Sequence, residues 1–260
     1  MIRASKSKAT MWTWLAVGSL MLIGACSSSG RETPRKGIEG PLRHFQLARM
    51  HYEQGRVKEA LTELEKSLAL DDSLPQIHAY LGLVRLEQQD WPRAIAAYQR
   101  ALELDPYFTD ARQQLALCLL ESGDGDGALQ QLALAAKDTH YLNPESIAFN
   151  TALIYRRRGD LDRALSELRK AVGLKPRYYK AHFEMANVLT ELKRPEEALL
   201  AFVAAEPGYG KDPTFHLRYG AALARTGRIS EAMRLLRRAM ELAPGSEVAA
   251  QASELLGTLG

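Results

Sequence analysis

An alanine in the middle of an amphipathic stretch returns at Ala60, Ala94, Ala128, Ala164, Ala198 and Ala232, at spacings of 34, 34, 36, 34 and 34 residues. Such a register means that one supersecondary unit is repeated, and periods of this length belong to stacked arrays in which no unit buries its apolar face alone. Other columns keep step. Twelve positions earlier stand the small residues Ala48, Gly82, Ala116, Ala152, Ala186 and Gly220, which let two helices approach closely. Four positions after the alanine come Leu64, Tyr98, Leu132, Leu168, Phe202 and Leu236, followed three later by Ser67, Ala101, Ala135, Ala171, Ala205 and Ala239. Steps of three and four are the period of a helix face. Five positions before the alanine, Gly55, Gly123, Gly159 and Gly227 supply the permissive backbone of a tight helix-to-helix turn, and Gln89 and Lys193 interrupt that column. Pro106, Pro176 and Pro244 end the second helix of their units, since proline lacks the N–H that would continue it.

This register resembles the tetratricopeptide repeat, matched over about residues 41–244 in six units. The resemblance implies an all-α fold, a right-handed α-solenoid with a concave inner face. The units fall at about 41–74, 75–108, 109–144, 145–178, 179–212 and 213–245. Residues 246–260 read as a C-terminal capping helix, with Ser246 as its N-cap and Gln251, Ser253 and Glu254 for the outward side. Repeat five is irregular: Pro207, Gly208 and Gly210 are expected to cut its second helix short, and His140 to Pro144 lengthens the third junction.

Ahead of the repeats, Met1 to Thr10 is polar and basic, Met11 to Ala25 is largely apolar, and Ile23-Gly24-Ala25-Cys26 closes the stretch with small residues before a cysteine. That is the layout of a secretory signal. An apolar run of about 15 residues is shorter than the roughly 20 a spanning helix needs, which favours a cleaved signal over residues 1–25. The four closing residues resemble a bacterial lipobox, which implies a covalent lipid on Cys26. In bacterial lipoproteins the next residue influences sorting, and Ser27 resembles the outer-membrane choice. Two acyl chains give stable attachment where one binds marginally. Residues 26–40 then read as lipidated cysteine and flexible tether, with an r.m.s. reach of roughly 20 Å. The expected address is the periplasmic face of the outer membrane. Arg3, Lys6 and Lys8 are the only charged residues before position 26, so the mature chain carries 31 basic against 31 acidic side chains. A neutral chain lacks the basic footprint of a nucleic-acid binder.

Several residues resemble chemistry without supporting it. His44, His78, His182 and His216 share one column of four repeats. Equivalent positions lie at least one helix spacing apart, roughly 10 Å, whereas zinc ligands sit about 2 Å from the ion. They read as half-buried packing residues. Gly123-Asp124-Gly125-Asp126-Gly127 lacks the third oxygen ligand and the closing glutamate of a calcium loop, and reads as a turn. Cys118, between Leu117 and Leu119, reads as a buried inert thiol. With no nucleophile, base and orienter arrangement, no catalytic residue, metal, small-molecule substrate or cofactor beyond the Cys26 lipid is expected, and the chain is not read as an enzyme.

In tetratricopeptide proteins the first helix of each repeat lines the groove. Carried over by position, this selects Phe45, Tyr52, Leu83, Leu86, Leu117, Leu120, Phe149, Leu153 and Phe183 as a partner-binding groove, apolar through its middle and suited to an amphipathic helix. Arg156 and Arg157 are candidate rim residues that could steer an acidic partner. Lipobox, tether and six repeats together resemble the type IV pilus pilotin lipoproteins, the PilF, PilW and Tgl kind. That resemblance implies binding of secretin subunits and promotion of secretin assembly for pilus biogenesis and motility. The alternative is a scaffold lipoprotein for envelope polymer export, cell-wall synthesis or barrel assembly.

Overall fold

The computed structural model describes residues 39–260. The expected signal, Cys26, Ser27 and nearly all of the tether lie outside the described residues. Those described form thirteen α-helices: α1 Glu39–Glu53, α2 Val57–Leu70, α3 Pro75–Glu87, α4 Trp91–Leu104, α5 Thr109–Glu121, α6 Gly125–Ala135, α7 Pro144–Arg157, α8 Leu161–Leu174, α9 Tyr179–Glu191, α10 Pro195–Tyr209, α11 Pro213–Arg225, α12 Ile229–Leu242 and α13 Glu247–Leu259. They pair as six hairpins plus one terminal helix. α1 takes in Glu39 and Gly40, two residues expected in the tether.

Each hairpin follows from the sequence columns. Every residue of the central alanine column is fully buried, as are the large residues four positions on and the small ones three further. Packing at these sites is tight enough that a methyl more or less is felt. Ser67, the one polar member, donates from Oγ to the Pro41 carbonyl at 2.6 Å. In the inter-helix turns Gly55, Gly123, Gly159 and Gly227 take φ between +72° and +93°. Gln89 and Lys193 take φ of 58° and 57° at the same place, so the column breaks in residue type while its left-handed conformation persists. The next residue often caps the second helix: the Asp90, Asp124 and Asp160 carboxylates accept from the backbone N–H groups of Arg93, Gly127 and Arg163. An N-cap carboxylate satisfies one of the donors a helix start leaves open. The Gly123 to Gly127 stretch is therefore turn and cap, and Asp124 has that structural task.

Two compact units divide the chain, one through Phe108 and one from Thr109 to Gly260. In the first, α1 packs on α2, α2 on α3 and α3 on α4. Its core gathers Ala48, Leu61, Leu64, Ile77 and Val84. In the second, hairpins α5/α6, α7/α8, α9/α10 and α11/α12 stack in order, with first helices touching directly between α5 and α7 and between α9 and α11. α13 covers the last hairpin by packing on α11 and α12, and the Ser246 Oγ caps it by accepting from the Ala249 N–H.

One expectation fails. Pro207 and Gly208 do not shorten the second helix of repeat five: α10 runs 15 residues through both to Tyr209. Proline so near a helix end forgoes only the bond to the Val203 carbonyl, and Val203 is 53% exposed, where water can take over. Gly208 is there for close approach, since a Cβ on it would lie 2.6 Å from that of Tyr179. The short second helix is α6, at 11 residues, followed by the long junction of residues 136–143, which Pro144 ends by opening α7.

Candidate functional site: the first-helix face

In the first unit α1 and α3 present an aromatic trio. Phe45 and Tyr52 meet Tyr80 edge-on, with ring centroids at 5.4 Å and 5.6 Å. All three are partly buried. Burial pushes the Tyr80 phenol up to about 12. Burial, reinforced by a hydrogen bond to Glu87, holds the Tyr52 phenol still further above its usual range, so both stay neutral donors. Leu83 and Leu86 on α3 are half-buried. Leu42 on α1, at 40% exposure, extends the apolar surface.

In the second unit the predicted groove residues divide. Leu117 on α5, Leu153 on α7 and Phe183 on α9 are half-buried and offer surface. Leu120 and Phe149 are not open groove surface: at 8% and 6% exposure they belong to the core, with Phe149 edge-on to Tyr178 at 5.4 Å. Where neighbouring first helices touch, as α5 and α7 do, residues of that face are covered. Phe183 is also partly committed, sitting among Tyr209, Phe215 and Phe202.

Arg156 and Arg157 are engaged within the protein. The Arg156 guanidinium donates to Glu184 and Glu191 on α9, Arg157 donates to Glu121 on α5, and Arg158 reaches Asp126 at 2.6 Å. The run of three arginines ties repeat four to both neighbours. Sequence reading missed a polar network at Gln113, which is buried at a position equivalent to Phe149. Its amide donates to the Tyr141 hydroxyl at 2.8 Å and accepts from Asn150 at 3.0 Å, while the Tyr141 hydroxyl donates to Asp110 at 2.5 Å. A polar residue in an apolar column was the available signal.

The histidine column has a local task as well. The Nε2 atoms of His78, His182 and His216 donate to the carbonyls of Asp72, Pro176 and Gly210, each six residues earlier, pinning the junction before the hairpin. His44 instead meets Glu63 at 2.6 Å. Burial pushes the Cys118 thiol up to about 12, which leaves little thiolate near neutrality. Among the described residues no three His, Cys, Asp or Glu gather as metal ligands.

Tetratricopeptide repeat models match residues 48–89, 85–140, 149–213 and 213–238. The chain belongs to the tetratricopeptide repeat family. It is 26% identical over 198 residues to the TPR repeat-containing protein YpiA of Bacillus subtilis, which covers 74% of this chain but 45% of YpiA, less than half that relative's length. It is 26% identical over 179 residues to the type IV pilus assembly protein PilF of Pseudomonas aeruginosa, covering 67% of this chain and 69% of PilF. Among solved structures, Pseudomonas aeruginosa PilF gives a TM-score of 0.74 at 21% identity, over 86% of this chain and 100% of that one. PilW, described as a widely conserved type IV pilus biogenesis factor, gives 0.76 at 15% identity, over 84% and 99%. These tetratricopeptide structures share the all-α repeat solenoid fold with this chain.

Proposed function

We propose that this chain is a pilotin of type IV pilus biogenesis, held at the outer membrane by a lipid on Cys26 and sorted there by Ser27. In this reading it binds an amphipathic segment of the secretin along its first-helix face and promotes secretin assembly. The observation that carries the reading is the similarity to PilF, which extends over two thirds of the chain in sequence and most of it in fold. The half-buried Leu83 and Leu86 of the first unit, and Leu117 and Leu153 of the second, support it, because each unit leaves apolar side chains at its surface that favour a partner's apolar face.

The test is to charge half-buried surface positions and spare the core. Leu83→Glu with Leu86→Glu should abolish secretin multimers in the envelope at unchanged protein level and unchanged circular dichroism. Normal multimers would count against the proposal. Loss of an envelope polymer with intact multimers would favour the scaffold alternative.

A further inference from the structure

The column that supplies Leu83, Leu117 and Leu153 continues as Asn187 and Ala221. The neighbouring column of Leu86 and Leu120 runs on through Arg156 to Thr190 and Ala224. Leucine is thus lost at Arg156 of repeat four in the second column and is absent from both columns in repeats five and six, and the missing side-chain volume leaves a recess of about 170 Å³ between α9 and α11. The half-buried Ala221 makes its apolar floor, and the buried Phe202 lies beneath, held flat against Tyr219 with centroids 5.1 Å apart and planes 10° apart. Asn187, Thr190, Arg218 and Arg225 supply its polar edge.

The charges there are unevenly committed. Glu191, the carboxylate in the lining, is already paired with Arg156, which also holds Glu184. Arg218 spends one donor on the Asn187 side-chain oxygen at 3.1 Å and keeps others free, since a guanidinium carries five. Arg225 is exposed and has no carboxylate partner among the described residues. Three arginines, with Lys193 beyond Thr190 and Arg225, face two glutamates, which leaves a positive surplus beside an apolar floor.

We propose that this recess takes one carboxylate side chain, an aspartate or glutamate carried by an otherwise apolar partner segment. Its methylene rests on Ala221, and its oxygens accept from Arg225 and the free donors of Arg218. A charge-assisted pair with guanidinium is about twice as strong as a neutral hydrogen bond, and a carboxylate carried on a methylene matches a positive edge beside an apolar floor. The proposal rests on the reading that the first-helix face receives a partner segment, and it adds what that segment must carry.

The probe is a fluorescein-labelled apolar peptide with one central glutamate, acetylated and amidated so that no chain-end carboxylate is present. Its match has glutamine in place of the glutamate. Fluorescence anisotropy with the detergent-solubilised full chain should show the glutamate peptide binding about tenfold more tightly. Arg225→Gln should equalise the two peptides. Ala221→Leu restores the leucine of the column, fills the recess and should weaken the glutamate peptide about tenfold with the melting temperature unchanged. Equal affinity of both peptides for the unaltered chain, no binding of the glutamate peptide, or indifference to Ala221→Leu would each overturn the proposal. Secretin multimers in the Leu83 and Leu86 variants report on the wider groove independently, so the two failures are distinguishable.

Discussion

Gln89 and Lys193 hold left-handed backbone where four other repeats place glycine. A side chain in that conformation brings Cβ against the following carbonyl, at about 1–2 kcal/mol, while glycine avoids that cost but loses more freedom on folding. The net favours glycine. Lys193→Gly should raise unfolding stability by about 0.5–1 kcal/mol in urea titration, and Gly159→Ala should lower it by about 1 kcal/mol. No contact confuses the second measurement, because a Cβ on Gly159 meets nothing within 4 Å. The turn was thus legible from the glycines, and the two exceptions keep its closing backbone bonds, with the Asp90 and Arg194 N–H groups donating to the Arg85 and Leu189 carbonyls. The histidine column was equally visible but its purpose was not. His78, His182 and His216 bond to backbone carbonyls of Asp72, Pro176 and Gly210, and a carbonyl leaves no trace in residue type.

At the scale of helices, α10 shows why local signals can mislead. Pro207 and Gly208 read as a terminus, yet glycine there serves contact with α9 rather than chain reversal. Gly208→Ala should push Tyr179 aside and cost about 1–3 kcal/mol by overpacking, measured as a lower urea midpoint at an unchanged slope. A steeper or shallower slope would mean that the helix itself had changed. The arginines of repeat four carry a parallel lesson. As a charge run they resemble a solvated rim, because their carboxylate partners lie 28 to 36 residues away in other helices. Arg156 and Glu184 are the more sheltered pair, with side chains 26% and 14% exposed, against 50% and 18% for Arg157 and Glu121. Arg156→Ala also strands Glu191. It should cost about 1–3 kcal/mol, whereas Arg157→Ala should cost about 1 kcal/mol or less.

Across the whole molecule, periodicity exposed the fold because every repeat must bury the same columns, and those columns are buried without exception. The groove was less legible. A column places a residue on the first-helix face, but whether it stays open depends on what closes over it: Leu120 clusters with Ile147 and Ile154 of the next repeat, and Phe149 meets Tyr178 at the end of its own. Under the proposed function, grip and address are carried by separate parts of the chain. Cys26 precedes the first described helix by 13 residues, so the lipid would hold the folded body close to the membrane without being part of its core. Cys26→Ser should therefore leave helicity and melting temperature unchanged while moving the protein from the membrane fraction to the soluble fraction. It should also leave secretin unassembled, because a partner segment bound away from the membrane is not delivered to where the ring forms. Adding back the double variant Leu83→Glu and Leu86→Glu separates the two roles: it should restore membrane attachment and still leave secretin unassembled. If the Cys26→Ser protein remained with the membrane, or became soluble and still supported full multimers, the lipid would have no part in delivery and that half of the proposal would fall.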